Sequence, residues 1–449
     1  MEIKQVSVQF NLNYESIKTL PCITLDENTP ITLEEKPLPE RPGYRFAGWY
    51  QDPECTHEWI FGEKKPQFMQ PATEWMPVLS DMTLYARWVA PVHIMDAQGF
   101  DQIRQDLYGW YVLDNDIDLS SFDDWDPIGK YETDYEYADA EWWRNAFKGR
   151  VDGNGHTIKG LNIKTVGEHY HLGLFGAMAN AEVYNLTIEH PTIIVKGPMA
   201  YIGALAGGVR RDKGRKVILE NITVKNADMR ADVVGDTFSY VCVTGIVGGL
   251  WEGTLRGCEV SGTICVHHAA PCTSFLFVGG LAGEAYCETS GCESNVDIDV
   301  SFDRADASDE LLAYIGALQG ASTYVDGSEA RGTIRLSGNN GTGEVMVGGI
   351  SGSERYGHII GSASNARITA NNVKKLRFGG VTGEFNLQYV AFGMMNGVTE
   401  TILRDSHFIG SFHTENVGTL TSEPICGSGH IPCFDYFGMH MDYHIENCS

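Results

Sequence analysis

The sequence predicts an all-β fold, a long solenoid of stacked parallel strands behind a small N-terminal β domain. Three observations lead there. A glycine box, Gly-small-aliphatic-x-Gly in outline, recurs eight times between residues 173 and 430. A second short motif follows each box. Beyond that motif run segments in which apolar and polar residues alternate, the signature of strands with one buried face.

The boxes read GLFG at Gly173–Gly176, GALAG at Gly203–Gly207, GIVG at Gly245–Gly248 and GGLAG at Gly279–Gly283. GALQG at Gly316–Gly320, GGISG at Gly348–Gly352 and GGVTG at Gly379–Gly383 continue the series, and a degenerate PICG ends at Gly427. Closing glycines stand 31 to 44 residues apart. A unit of that size cannot bury its apolar face alone and must stack on the next.

The second motif is an apolar residue, two polar or small residues, then a small or apolar one. Its copies are Leu255–Cys258, Thr289–Cys292, Val325–Ser328, Ile360–Ala363, Leu403–Ser406 and Ile445–Cys448, with Val183–Leu186 and Leu219–Ile222 in the same frame. Alternation such as Val296-Asp-Ile-Asp-Val300 follows. Equivalent residues of successive coils are expected to form interior ladders. Cys258, Cys292 and Cys448 then share the position of Leu186, Ile222 and Ala363, as buried thiols that pack like small hydrophobes rather than as disulfides.

Composition sets the outer limits. Glycine is 51 of 449 residues, suiting corners and close backbone approach. Net charge is −26, from 59 acidic against 33 basic residues. That balance argues against a nucleic-acid partner, which needs a basic stripe, and against an anionic membrane surface. It permits cations or neutral glycans. No apolar run is long enough for a membrane-spanning helix, and the alternating start Met1–Phe10 does not read as a signal peptide.

Residues 1–90 differ in texture, being rich in proline and tryptophan. The strand Val6–Leu12 is followed by Arg41-Pro-Gly-Tyr-Arg-Phe-Ala-Gly-Trp-Tyr50 and by Asp81-Met-Thr-Leu-Tyr-Ala-Arg-Trp88. These segments resemble the Listeria–Bacteroides repeat, the internalin-type B-repeat. The resemblance implies a β-grasp-like core of Phe46, Trp49, Leu84, Tyr85 and Trp88, turns at Gly43 and Gly48, and a surface-protein module without catalytic residues.

After a short joint, Asp96–Tyr108 reads as one amphipathic helix with Phe100, Ile103 and Leu107 inward, a cap for the first coil. Tyr111–Leu119 and Phe147-Lys-Gly-Arg-Val-Asp-Gly-Asn-Gly-His-Thr-Ile-Lys-Gly-Leu161 come next. With the serial boxes, they are similar to the GLUG-motif family of right-handed parallel β-helices, in which the second segment is a hairpin. That resemblance implies a bacterial secreted or surface protein, often adhesive. The expected domains are 1–90 for the repeat module and 91–449 for the β-helix with its helical cap.

Candidate chemistry is sparse. Asp114, Asp116 and Asp118, with Asp123, Asp124 and Asp126 beyond, are hard oxygen ligands at alternate positions that could hold Ca²⁺; on a strand the same alternation makes a solvated face. Cys265-Val-His-His-Ala-Ala-Pro-Cys272 and Cys426-x3-His430-x2-Cys433 are near zinc spacing, but no paired CxxC knuckles exist. Parallel β-helices also house polysaccharide lyases and hydrolases, which need paired carboxylates or Ca²⁺ with an arginine; no Asp-Asp pair falls on the repeat strands.

The reading is thus a non-enzymatic, surface or adhesin-like protein, extracellular and without a cofactor, displaying a surface for a glycan or protein ligand. A carbohydrate-active enzyme and a non-exported (cytoplasmic) structural or assembly subunit are the alternatives. The interval between box and ladder lengthens after Gly383 and after Gly427. The added residues include Tyr389, Phe392 and Met394, then Phe434, Tyr436 and Phe437, and are expected to form a partner-binding patch or a lid. The second group would also cap the last coil, giving a monomer, with end-to-end association as the alternative.

Overall fold

The computed structural model describes residues 4–32, 35–59, 61–62, 76–130, 145–167, 170–210, 217–307, 309–384, 400–423, 425, 433–436 and 439–449. The N-terminal module is a four-stranded sheet in the order Ile23–Asp26, Gln5–Asn11, Met82–Val89, Arg45–Tyr50. Gln5–Asn11 runs parallel to Met82–Val89 and the other two pairings are antiparallel. Trp49, fully buried, takes the rings of Phe10 and Phe46 edge-on at 4.8 and 5.3 Å. Leu84 and Ala86 point inward, so Tyr85, expected in this core, lies on the opposite face by the period of the strand. Gly48 is not in a turn. Its φ of +130° sits where the pairing register shifts between Phe46 and Gly48, which marks a β-bulge.

One residue separates this module from Pro91–Ile94, which pairs parallel with Trp110–Leu113 and starts the solenoid. Arg45, 8% exposed, reaches Glu182 of the solenoid at 3.2 Å. Where one long helix was expected, Ala97–Asp101 is α-helical and Gln102–Gln105 continues as a 3₁₀ turn. The Asp96 side chain caps the start by accepting from the Gly99 N–H. Phe100 and Ile103 are buried, as the spacing implied, and Leu107 packs against the same core.

From there the chain winds as a parallel β-helix. A typical coil has three runs: Thr273–Gly279, Ala282–Ser290 and Glu293–Asp303. First runs of successive coils form an eight-stranded parallel sheet, and second and third runs form one larger sheet. The Phe147–Leu161 segment is not a hairpin. Arg150–Asp152 and Thr157–Lys159 lie end to end, both parallel to Glu182–Glu189.

The boxes turn the first run into the second, in strict register: Phe175, Ala206, Val247, Ala282, Gln319 and Ser351 are successive partners. The second motif turns the second run into the third. Its third residue has φ between +50 and +58° at Asn185, Asn221, Gly257, Gly291, Gly327, Gly361, Asp405 and Asn447, a conformation left to glycine and to short polar side chains. Asn221 donates to Asn185 Oδ1 at 3.1 Å and Asn447 to Asp405 Oδ1 at 2.9 Å, tying these corners vertically.

Just inside lies the ladder Leu186, Ile222, Cys258, Cys292, Ser328, Ser362, Ser406. The sixth rung is Ser362, not the expected Ala363. Val325 pairs with Ile359, so that copy of the motif runs Ile359–Ser362. Each small polar side chain accepts from the backbone N–H of the rung before it: Cys258 N to Cys292 Sγ at 3.3 Å, Cys292 N to Ser328 Oγ at 3.2 Å, Ser328 N to Ser362 Oγ at 3.2 Å and Ser362 N to Ser406 Oγ at 3.3 Å. The Cys258 thiol donates to Leu219 O. Its hydrogen bond with Cys292 and its burial hold it protonated, well above the ordinary thiol range. Both cysteines are fully buried free thiols.

Near the end of one third run sits His268, fully buried, with neither ring nitrogen hydrogen-bonded. Burial first, and then the nearby Arg304 guanidinium, push its pKa down to about 3. The unfolded chain therefore binds a proton at His268 below about 6.5 that the folded chain refuses until about 3. Stability from this site is full above that window and lost as pH falls through it, by an amount on the order of a few kcal/mol. His268→Leu should flatten the fall in urea-derived stability between neutral and acid pH. An unchanged slope would show that other groups carry it.

The ladder makes a second prediction. Cys292→Ser should cost little, since serine makes the same bond in three later coils, whereas Cys292→Asp buries an unpaired charge and should unfold or aggregate the chain. Exposed Cys22 should react with a thiol reagent at once, while Cys258 and Cys292 react only on unfolding.

Candidate binding corner

The box corner brings two outer faces together. A Cβ on Gly207 would lie 2.4 Å from Leu172 N, and one on Gly352 would lie 2.3 Å from Ile315 N. Neither closing glycine has positive φ, so it is close approach that excludes a side chain here. The start of each second run thereby lies against the outer face of the first-run sheet, and the corner is concave towards solvent.

Along the first runs, alternate residues leave the interior. Leu276 and Val278 belong to the main core, while Phe277 belongs to a separate outer cluster with Cys242, Tyr314, Ala321 and Met346. Successive partners His171, Tyr201, Cys242, Phe277, Tyr314, Met346 and Arg377 form one row of this face. Tyr240, Phe275, Leu312 and Glu344 form the neighbouring row. Rings stack along the solenoid axis: His171 on Tyr201 at 4.7 Å, Tyr201 on Tyr240 at 5.7 Å and Phe277 on Tyr314 at 5.1 Å. Tyr201, Tyr240, Phe275 and Leu312 are only partly buried.

The second runs contribute Trp251, Glu284, Tyr286, Arg355 and Glu384. Trp251 meets Tyr201 edge-on at 5.4 Å. Tyr240 donates to Glu284 Oε2 at 2.6 Å, and Arg355 Nη1 donates to Glu284 Oε1 at 2.8 Å and to the Tyr286 hydroxyl. The Arg355 guanidinium also lies 5.2 Å from the centre of the Phe277 ring. Arg355 is 1% and Glu284 4% exposed, so this is a buried ion pair with aromatic walls. Burial, and then Glu284, raise the Tyr240 pKa well above its ordinary value, so Tyr240 serves as a donor and not as a base. Farther along, Arg377 holds Glu344 at 2.8 Å and stands 3.7 Å from Glu384. Glu354, beside Arg355 in sequence, is fully buried and held neutral by desolvation, with Ser322 donating to its Oε2 at 2.7 Å.

None of these residues was singled out from the sequence, where glutamates scattered among the repeats gave no motif. Residues that were singled out lie elsewhere. Tyr389, Phe392, Met394 and Phe437 fall outside the described residues. Phe434 and Tyr436 lie on Cys433–Tyr436, which pairs antiparallel with Met439–Glu446, itself parallel to Glu400–Arg404.

The acidic run does not converge. Asp114 contacts His93 at 3.0 Å. Asp116 accepts from Thr157 N at 2.9 Å, which lowers its pKa, and contacts His156 at 3.2 Å. Hydrogen bonds from the Ser120 side chain and then its backbone N–H lower the Asp118 pKa, and Asp118 pairs with Lys159 at 3.3 Å. At the Cys265–Cys272 segment, Cys272 and His268 are buried while His267 is exposed and contacts Ser301. Cys426 and His430 of the other zinc candidate fall outside the described residues. Among the described residues no three His, Cys, Asp or Glu side chains gather as a metal site, and no helix is long and apolar enough to cross a membrane.

Comparison with known proteins identifies the N-terminal module. Residues 7–87 match the Listeria–Bacteroides repeat domain family. A provisionally named Gly-rich membrane protein of Evansella cellulosilytica is 34% identical over 125 residues, 26% of this chain and 13% of that protein. Halomucin of Haloquadratum walsbyi is 29% identical over 147 residues, 32% of this chain and 2% of that protein. The chain thus spans a small part of the curated relatives it matches. Among solved structures, a Bacteroides ovatus protein provisionally named an immunoglobulin A1 protease aligns over 80% of this chain and 84% of that one, at 15% identity and a TM-score of 0.41. A second structure, named IgA1 protease, aligns over 81% of this chain and 22% of that one, at 14% identity and a TM-score of 0.38.

The corner makes a prediction of its own. Arg355→Met leaves the Glu284 carboxylate buried without its cation and should cost about 3–5 kcal/mol. Adding Glu284→Gln should recover most of that loss. Chemical denaturation of the two single variants and the double variant measures the coupling; additive losses would mean that the pair does not hold the corner.

Proposed function

We propose that this chain is a non-catalytic, surface-displayed binding protein whose concave corner takes a protein ligand. The repeat module at residues 7–87 and the Gly-rich membrane protein relative support a surface-protein setting. The observation behind the binding role is the partly exposed strip of Tyr201, Tyr240, Phe275 and Leu312, which crosses successive coils on a rigid backing. Aromatic side chains on a rigid surface suit the core of an interface. Tyr201 stacks on both His171 and Tyr240, so that ring faces in the strip are already engaged. That geometry favours side chains of a polypeptide over flat sugar rings. A partner with basic patches fits, given a net charge of −26 and Glu310, whose carbonyl accepts from Ser274 N, at the margin of the strip.

Non-catalytic is the better reading of the corner because Glu284, Glu344 and Glu384 lie against arginines and Tyr240 is held protonated. Such groups are poorly placed to move protons. Protein and glycan arrays, run beside a reducing-sugar assay, test the proposal. Binding to basic protein spots should weaken at least about tenfold in Phe275→Ser/Leu312→Ser with the fold intact, and no polysaccharide should release reducing ends. Array binding untouched by that variant, or sugar release, would refute the proposal.

A further inference from the structure

Third runs present a flat outer face on which most charges are neutralised locally. Arg230 pairs with Asp228 at 2.7 Å, Arg331 with Glu329, and Arg335 with Asp299 at 3.1 Å. Arg367 differs. It is exposed, and its side chain makes no hydrogen bond or ion pair with another described residue. Its surroundings differ too. Glu329–Asn339 is one unbroken strand, but the next two third runs break, into Ala363–Ser364 and Arg367–Asn371, then His407–Phe408 and Ser411–Glu415. The breaks leave a hollow of about 400 Å³, the size range of small-ligand sites.

Thr333, Arg367 and Ser411 are successive partners, so they line the hollow one above another at the strand spacing of about 4.8 Å. Thr333 gives its proton to Asp297 at 2.7 Å and so faces a ligand as an acceptor. Asn365 adds an exposed amide, and Ile409, 73% exposed, adds an apolar wall.

We propose that this hollow binds a sugar carrying one carboxylate, a uronic or sialic acid at the end of a glycan or within a short one. The Arg367 guanidinium matches a carboxylate in a two-pronged, charge-assisted contact. Thr333, Asn365 and Ser411 supply the mixed donors and acceptors that sugar hydroxyls require, and Ile409 covers a C–H face of the ring. The strongly acidic chain repels polyanions, so a single acidic sugar is favoured over a polyuronate. This site lies on a different face from the corner and does not depend on the protein-binding proposal.

Ligand-observed NMR on the full chain tests it with glucuronic acid, N-acetylneuraminic acid, glucose and glucose 6-phosphate. One or both acids should bind with affinity in the usual weak range for single sugars, and glucose should bind at least about tenfold more weakly, as expected for a lost charged hydrogen bond. Arg367→Met should abolish the acid signal, while Arg335→Met should preserve it. Arg367→Lys, which keeps the charge without the fork, should restore part of it. No acid binding, equal binding by glucose, or acid binding that survives Arg367→Met would overturn the proposal. Glucose 6-phosphate binding as tightly as the acids would replace it with a general anion site.

Discussion

The closing glycine of each box is the constraint on which the architecture turns. A hydrogen atom at that position lets the start of the second run lie against the outer face of the first-run sheet, where a Cβ at Gly207 or Gly352 would meet backbone atoms at 2.4 Å or less. The contact folds the cross-section inward on the solvent side. A solenoid with only convex corners has one core; this one has two, the interior and the cluster of Cys242, Phe277, Tyr314, Ala321 and Met346 in the corner. The second core is why charged residues can be buried on an outer face. Arg355 and Glu284 are enclosed by aromatic rings that the corner brings together, and each completes the other.

Stacking then decides what the interior tolerates. An interior of unpartnered hydroxyls would be costly. At the ladder, however, every rung from Cys292 to Ser406 accepts from the backbone of the preceding coil. The left-handed residue beside each rung makes that possible, because it turns an N–H inward that the strand ladder would otherwise have used. Asparagine fills the left-handed position in the early coils and glycine in the middle ones. Those early asparagines add a vertical hydrogen bond of their own, which the glycine coils lack.

Much of this was legible. Box spacing announced the stacking, and alternation announced the strands, because both reflect a period that local chemistry must obey. The errors have local causes. Ile359 and Ile360 are both apolar, so the frame of that motif could slip by one; the left-handed Gly361 settles it, since it must occupy the third place. Asp96–Tyr108 has helical spacing, but its helix stops at Asp101 and tightens to a 3₁₀ turn, and Phe100 and Ile103 are buried either way. The corner network was not legible. Glu284 and Arg355 are 71 residues apart and meet only because two intervening coil steps carry them to one place. No short motif records a contact made by counting coils.

Such a design separates stability from recognition. The interior ladders and the buried ion pair hold one coil on the next with side chains withdrawn from solvent, and the left-handed corners tie the same coils from outside, through exposed side chains such as Asn185 and Asn221. What remains outside is set by residues whose replacement need not disturb that stack. On the corner face, stacked rings are backed by a second core. On the third-run face, most charges cancel in pairs, and Arg367 stands open where the strands break. Two faces of one rigid coil can therefore carry different chemistries without competing for the same residues. The break that shapes the hollow also shows its limit: Arg367 and Ser411 keep their register with Thr333 on the far side of it, so the sheet yields locally for a site while the stack beneath continues unbroken.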